Sequence, residues 1–265
     1  MKILVTVSEV SSVDEEFEVD GLDVDERYLS YDLNEWDDYA VEEAVQYAEE
    51  HGEDEVEVVT VTVGPERADQ TIRQALAKGA DRAIRVWGDA LAEATVLDPR
   101  TKAQVLAAVA REEDPDLVLT GVQTGDDSWG ATGVTLAADL DFGWAAVVNA
   151  LEVDDGETTA SVHRELEGGI EELTDVDLPA VCTIQTGINE PRYASLRGIR
   201  QAQNKPLDEQ TLADLGLEAG DLAMPLELTA LYEPESEGDA TIWEGSAEDT
   251  AADLAELLRE KGVGA

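Results

Sequence analysis

Through its first half the chain repeats one pattern: a short β-branched run, a turn of Gly, Pro or Asp, then an amphipathic stretch with helical spacing. Lys2 to Val7, Val56 to Val63, Ala83 to Val86 and Leu117 to Thr120 are the runs. Apolar runs of this kind suit strands covered on both faces. Between them, Ala40, Val41, Ala44, Val45 and Ala48 form one helical stripe; Ala68, Ile72, Ala75 and Leu76 form a second; Val105, Leu106 and Val109 a third. Asn34 reads as the N-cap of the first helix, with Asp37 and Asp38 in its first turn. Pro65 suits the first turn of the second helix, which stops at Gly79. Asp98-Pro99 opens the third, which ends before Asp114-Pro115, and a fourth follows over about 131–140. Such alternation predicts a Rossmann-like α/β fold, a parallel sheet flanked by helices with right-handed crossovers.

The rhythm then changes. Val147 to Val153 and Thr158 to Leu166 flank Asp154-Asp155-Gly156, a hairpin signal. Gly168-Gly169 makes a second turn and Pro179 to Ile184 a third strand, together an antiparallel extension of the same domain. Residues 1–226 are therefore expected to form one α/β domain, and residues 227–265 an acidic linker with a C-terminal helical arm. In that arm Ser246 and Asp249 form a capping pattern, and Ala251, Leu254, Leu257 and Leu258 a single apolar stripe.

Charge sets the surroundings. There are 62 Asp and Glu against 17 Lys and Arg, a formal net charge of −45. Self-repulsion on this scale loosens a compact chain in dilute buffer and is screened over about 3 Å in molar salt. The composition is read as adaptation to a very salty cytoplasm. Nucleic acid and anionic membranes are excluded as partners by the same field. Cys182 is the single cysteine and lies in an apolar run, so no disulfide or cysteine metal cluster forms; His51 and His163 lack ligand spacing. The chain begins at once with a strand rather than a signal peptide, and no apolar run approaches the roughly 20 residues of a membrane helix. A soluble, cytoplasmic protein is expected. No nucleophile is paired with a His, so nothing marks the chain as a catalyst.

Two segments stand out. Gly121 to Gly133 leaves the carboxyl end of a buried strand and enters a helix, where open α/β sheets bind ligands. Helix-start N–H groups with Ser and Thr hydroxyls suit a phosphate. Asp126 and Asp127 lie in the same loop, so a monophosphate is easier to accept than a triphosphate, and a glycine-rich turn without ligand is an equal alternative. No Gly-Lys-Ser/Thr follows, so it is not a Walker loop. The second segment reverses the charge: from Pro191 to Lys205 there are Arg192, Arg197, Arg200 and Lys205 and no acid. It is either a helix whose cations pair with neighbouring acids or an exposed docking surface with Tyr193 and Leu196 as contacts.

Asn34 through Val45, Gly64-Pro65 with Thr71 to Arg82, Arg164 to Gly169, Asn189 to Leu196 with Gly198-Ile199, and Leu212 to Gly216 resemble, in order, the beta subunits of electron transfer flavoproteins. The resemblance implies the adenine-nucleotide-binding type of this fold and a heterodimer with an alpha subunit. It also implies electron carriage from acyl-CoA and other dehydrogenases to a membrane quinone reductase. In such proteins FAD is held mainly by the alpha subunit, while the beta subunit covers it and binds a structural AMP. Carried over by position, the AMP site comprises Thr6, Asn34, Glu35, Trp36, Asp37, Val63, Gly121, Val122, Gln123, Thr124, Gly125, Asp126, Asp127, Ser128, Trp129, Gly130, Ala131 and Thr132. The dehydrogenase recognition loop corresponds to Arg192, Tyr193, Leu196, Arg197 and Arg200, with Leu196 at the anchoring position. Two other readings stay open: a bifurcating form with a second FAD in place of AMP, and a stand-alone ATP- or AMP-sensing module of similar fold.

Overall fold

The computed structural model describes residues 1–52, 55–154, 156–222, 224–233 and 241–263. Asp155 of the expected hairpin turn and residues 234–240 of the expected linker lie outside these. The chain divides into two units, Met1–Leu231 and Tyr232–Ala265.

Unit one opens with β1 (Lys2–Thr6), then β2 (Glu9–Val13), β3 (Val19–Asp20), β4 (Asp23–Val24) and β5 (Leu29–Leu33) before α1 (Glu35–His51). There follow β6 (Glu57–Val63), α2 (Asp69–Lys78), β7 (Arg82–Val86), a single turn α3 (Asp89–Ala92), α4 (Pro99–Glu113), β8 (Leu117–Gly121) and α5 (Thr132–Leu140). The later elements are β9 (Gly143–Val153), β10 (Thr159–Leu166), β11 (Ile170–Asp177), β12 (Ala180–Ile184), α6 (Leu196–Ala202) and β13 (Leu207–Gln210). Among the described residues, nine strands form one sheet in the order β11-β10-β9-β12-β8-β1-β6-β7-β13. Pairing is parallel from β9 through to β13 and antiparallel in β9-β10-β11. The Rossmann-like α/β expectation holds.

Two details of the sequence reading are corrected. The strand at 180–184 does not belong to the antiparallel extension: β12 inserts between β8 and β9, parallel to both. The third antiparallel strand is β11, directly after Gly168 and Gly169, whose φ values of 80° and 74° supply the turn. The acid-rich stretch between β1 and α1 is not plain connection, because β2 and β5 pair as an antiparallel ribbon.

The sheet is sandwiched. On one face α1 and α2 bury Val41, Val45, Ile72 and Leu76 against Ile3, Val5 and Leu117; on the other α4 and α5 bury Val105, Val109 and Leu136 against Leu4, Val59 and Val118. Alternate residues of β1 thus serve opposite cores, which is why its sequence is continuously apolar. Cys182 lies in the first core, where burial pushes its thiol up to about 12, consistent with a small packing residue.

Unit two contains α7 (Ala247–Glu260), capped by Ser246, whose Oγ accepts from the Asp249 amide. No residue of this helix is buried, and Leu254 and Leu258 are 44% and 40% exposed. Among the described residues no helix is long and apolar enough to cross a membrane.

Candidate functional site

The chain runs from β1 outward to β6 and β7, then returns to place β8 on the other side of β1. That reversal leaves a crevice beyond the carboxyl ends of β1 and β8. A cavity of about 460 Å³ lies there, lined by the ends of β1 (Thr6), β6 (Val63) and β8 (Thr120, Gly121). One side is apolar, with Val61, Val63, Trp87, Val96, Leu97 and Leu106; the other is the polar loop from Gly121 to Thr132.

The loop is tied down from several directions. Asn34, fully buried at the N-cap of α1, makes no capping bond with its side chain. Its amide instead donates to the Gln123 carbonyl (2.9 Å), and its Oδ1 accepts from the Gly125 amide (3.3 Å). Asp37 bridges two strand ends: one carboxylate oxygen accepts from the Ser8 amide (2.8 Å), the other from the Gly121 amide (2.9 Å). Burial pushes its carboxyl up to about 6 despite those two donors. Gly121 is obligatory here, because a Cβ would stand 2.6 Å from Asp37 Oδ1 and 3.0 Å from the Asp37 amide.

The two loop acids are engaged rather than bare. Asp126 accepts from the Ser11 amide of β2 (3.3 Å) and the Asp127 amide (2.8 Å). Asp127 accepts from the Thr124 hydroxyl (2.8 Å), the Trp129 amide (3.1 Å) and Lys102 Nζ (3.0 Å). Burial opposes its ionisation, but Lys102 and the other donors prevail and hold it below the usual carboxylate range. Beyond them α5 begins after Ala131, an N-cap residue that makes no side-chain bond to its first N–H groups. Gly133 seats that helix start on the strand ends: a Cβ would meet Thr120 Oγ1 and Thr183 Cγ2, each at 2.5 Å.

Of the residues assigned from sequence, Thr6, Asp37, Val63, Gly121 to Thr124, Asp126, Asp127 and Trp129 to Thr132 line the cavity. Asn34, Glu35, Trp36, Gly125 and Ser128 do not. Asn34 acts from behind as a stitch, Glu35 is exposed, and Trp36 donates its indole N–H to Gln185. Sequence reasoning missed Glu9, Arg67, Trp87, Thr95 to Leu97 and Lys102, which also line it. They sit at the start of β2, in the connections after β6 and β7 and in α4, so chain position relative to the strand ends was the available signal.

The basic segment divides. Arg192 is turned inward, its guanidinium spanning Glu42 (2.9 and 3.0 Å) and Glu49 (2.6 and 2.9 Å). Lys205 donates to the carbonyls of Leu76, Gly79 and Ala80 at the end of α2. Arg197 and Arg200 are exposed and form no ion pair among the described residues. Ser195 caps α6 through the Gly198 amide (3.0 Å), and this short helix presents Leu196 outward at 78% exposure beside Tyr193 at 99%. Gly198 packs so tightly on α2 that a Cβ would collide with the Ala77 carbonyl oxygen, so the presentation is rigid.

Known proteins resemble this chain in sequence. The electron transfer flavoprotein domain family matches residues 21–215. The chain is 46% identical over 265 residues to the electron transfer flavoprotein subunit beta of Methylophilus methylotrophus, spanning 98% of each. It is 38% identical to that of Bradyrhizobium diazoefficiens, over 99% of this chain and 100% of the relative. With that of Bos taurus it shares 38% over 231 residues, 87% of each. Likeness on this scale, running across the whole chain, makes it a member of the electron transfer flavoprotein family, as a beta subunit.

Proposed function

We propose that this chain binds a structural AMP in the switch-point cavity and, with an alpha subunit holding most of one FAD, carries electrons from acyl-CoA and other dehydrogenases to a membrane quinone reductase. The observation that carries the nucleotide reading is the uncapped start of α5 at the polar end of a cavity whose other end is apolar. A phosphate suits the free N–H groups and a purine suits Val63 and Trp87. The loop acids keep partners of their own in backbone amides and the Thr124 hydroxyl, which eases the objection of two bare carboxylates beside a phosphate.

FAD supplies the redox chemistry; this chain has the part of covering it and presenting a docking loop. Leu196 and Tyr193, rigidly displayed with Arg197 and Arg200, suit a dehydrogenase anchor. The apolar stripe of α7 suits an arm laid on the alpha subunit, with the stretch from residue 227 as its linker. A net charge of −45 supports work in a salt-rich cytoplasm.

Denaturing the αβ complex and separating what it releases tests the reading. One FAD and one AMP per heterodimer is expected. Two FAD and no AMP would overturn the AMP assignment in favour of a bifurcating form, against which Trp129 stands at the cavity wall.

A further inference from the structure

The charged groups lining the cavity are four carboxylates, Glu9, Asp37, Asp126 and Asp127, and two cations, Arg67 and Lys102. A dianionic phosphate entering a wall of this composition, in a chain of net charge −45, needs a cation that can turn to it. Arg67 has two partners: its Nε lies 2.9 Å from Glu9 Oε1, on a side chain only 8% exposed, and its guanidinium stacks 4.3 Å over the Tyr31 ring.

Lys102 is differently placed. It stands in the first turn and a half of α4, and among the described residues its ammonium makes one polar contact, to Asp127 Oδ2 at 3.0 Å. Both partners are partly exposed, 25% and 31%, so the pair is weak and exchangeable. Asp127 keeps two donors when the ammonium leaves, because the Thr124 hydroxyl and the Trp129 amide hold its other oxygen. Lys102 shares the cavity wall with Ala131 and Thr132, where the α5 amides begin.

Resting on the nucleotide reading above, we infer that Lys102 is a phosphate-reading residue of this cavity, releasing Asp127 to pair with the 5′-phosphate of a nucleoside monophosphate. The ammonium supplies the charge and the α5 amides the directed donors, a division of labour that suits a flexible stem beside a fixed helix start. Asp126 and Asp127, held beside the same place, then repel a second phosphoryl group, so di- and triphosphates are disfavoured. Discrimination between nucleotide and nucleoside therefore rests on Lys102 together with the α5 amides, while the apolar lining binds the base of either equally.

The test uses the purified αβ complex in molar KCl, freed of bound nucleotide, titrated by calorimetry with AMP and with adenosine. The wild-type complex is expected to prefer AMP. The substitution Lys102→Gln is expected to weaken AMP roughly tenfold, as for one lost charge-assisted bond, and to leave adenosine unchanged. Asp127→Asn frees the ammonium and is expected to keep or strengthen AMP binding. If AMP and adenosine weaken together in Lys102→Gln, or if their ratio is unmoved, the assignment to Lys102 fails while the AMP site stands. If the wild-type complex binds neither, the nucleotide reading itself fails and the inference with it.

Discussion

Replacing Arg192 by Ala removes the bolt between α1 and the segment that leads into α6. The Glu42 side chain is only 3% exposed, and Arg192 reaches it through Nε and Nη2 as well as through its own backbone amide (3.1 Å). Burial alone would raise the Glu42 carboxyl, yet the Arg192 and Gln46 donors keep it below its ordinary value. In Arg192→Ala the carboxylate would keep only the Gln46 amide (2.6 Å) and the backbone N–H. Orphaning a buried charge costs about 3–5 kcal/mol. Because Arg192 is itself 30% exposed, water reaches the gap and the expected cost falls to about 2 kcal/mol. The pair with Glu49, 47% exposed, adds little. Urea unfolding of the αβ complex, at fixed protein concentration and constant molar KCl, measures the loss without adding ionic denaturant. Adding Glu42→Gln to the variant removes the orphaned charge and should restore part of the stability. A loss below about 0.5 kcal/mol, or a double variant no more stable than Arg192→Ala, would refute the view that Arg192 works inward.

Two further outcomes are expected. The Asp37 carboxyl, raised to about 6 from 3.8, favours the folded state when protonated, so its contribution is full below pH 3.8 and is lost as pH rises toward 6. The stability of wild type relative to Asp37→Asn should therefore fall by about 1 kcal/mol between pH 5 and 6, and a flat difference across that interval would contradict the burial of an ionising group. Leu196→Ala should lose about 2 kcal/mol of dehydrogenase binding, read as slower electron transfer, with the flavin spectrum intact; a variant that unfolds or sheds flavin would show that Leu196 packs inside the assembly.

Legibility in the sequence followed burial. β1, β6, β7 and β8 were readable because each is covered on both faces, so β-branched runs betray them. The ribbon of β2 and β5 was not, because no residue of either strand is buried, Glu9 to Val13 carries no apolar alternation, and the short alternation of Leu29 to Leu33 follows an acid-rich stretch. β13, Leu-Asp-Glu-Gln, exists through its pairing with β7 rather than through its composition. The direction of β12 was likewise invisible, since residues that fill a buried strand serve equally in either direction.

The site was legible in half for a related reason. A glycine-rich loop entering a helix declares itself locally, so Gly121 to Thr132 could be read from their own order. What holds that loop in place is supplied from elsewhere: Ser11 from the ribbon, Asn34 and Asp37 from α1, Lys102 from α4. Each is remote in sequence and meets the loop only because β1, β6 and β8 end side by side. Asn34 illustrates the limit. Its residue type and position fit an N-cap, but an amide that can both donate and accept forms two bonds to the loop where a cap would satisfy one donor. Helix α1 begins there without a side-chain cap, and its first turn fixes the floor of the cavity through Asp37. The element that the sequence reads as helix chemistry is thus spent on shaping the site, and only the folded sheet decides between those uses.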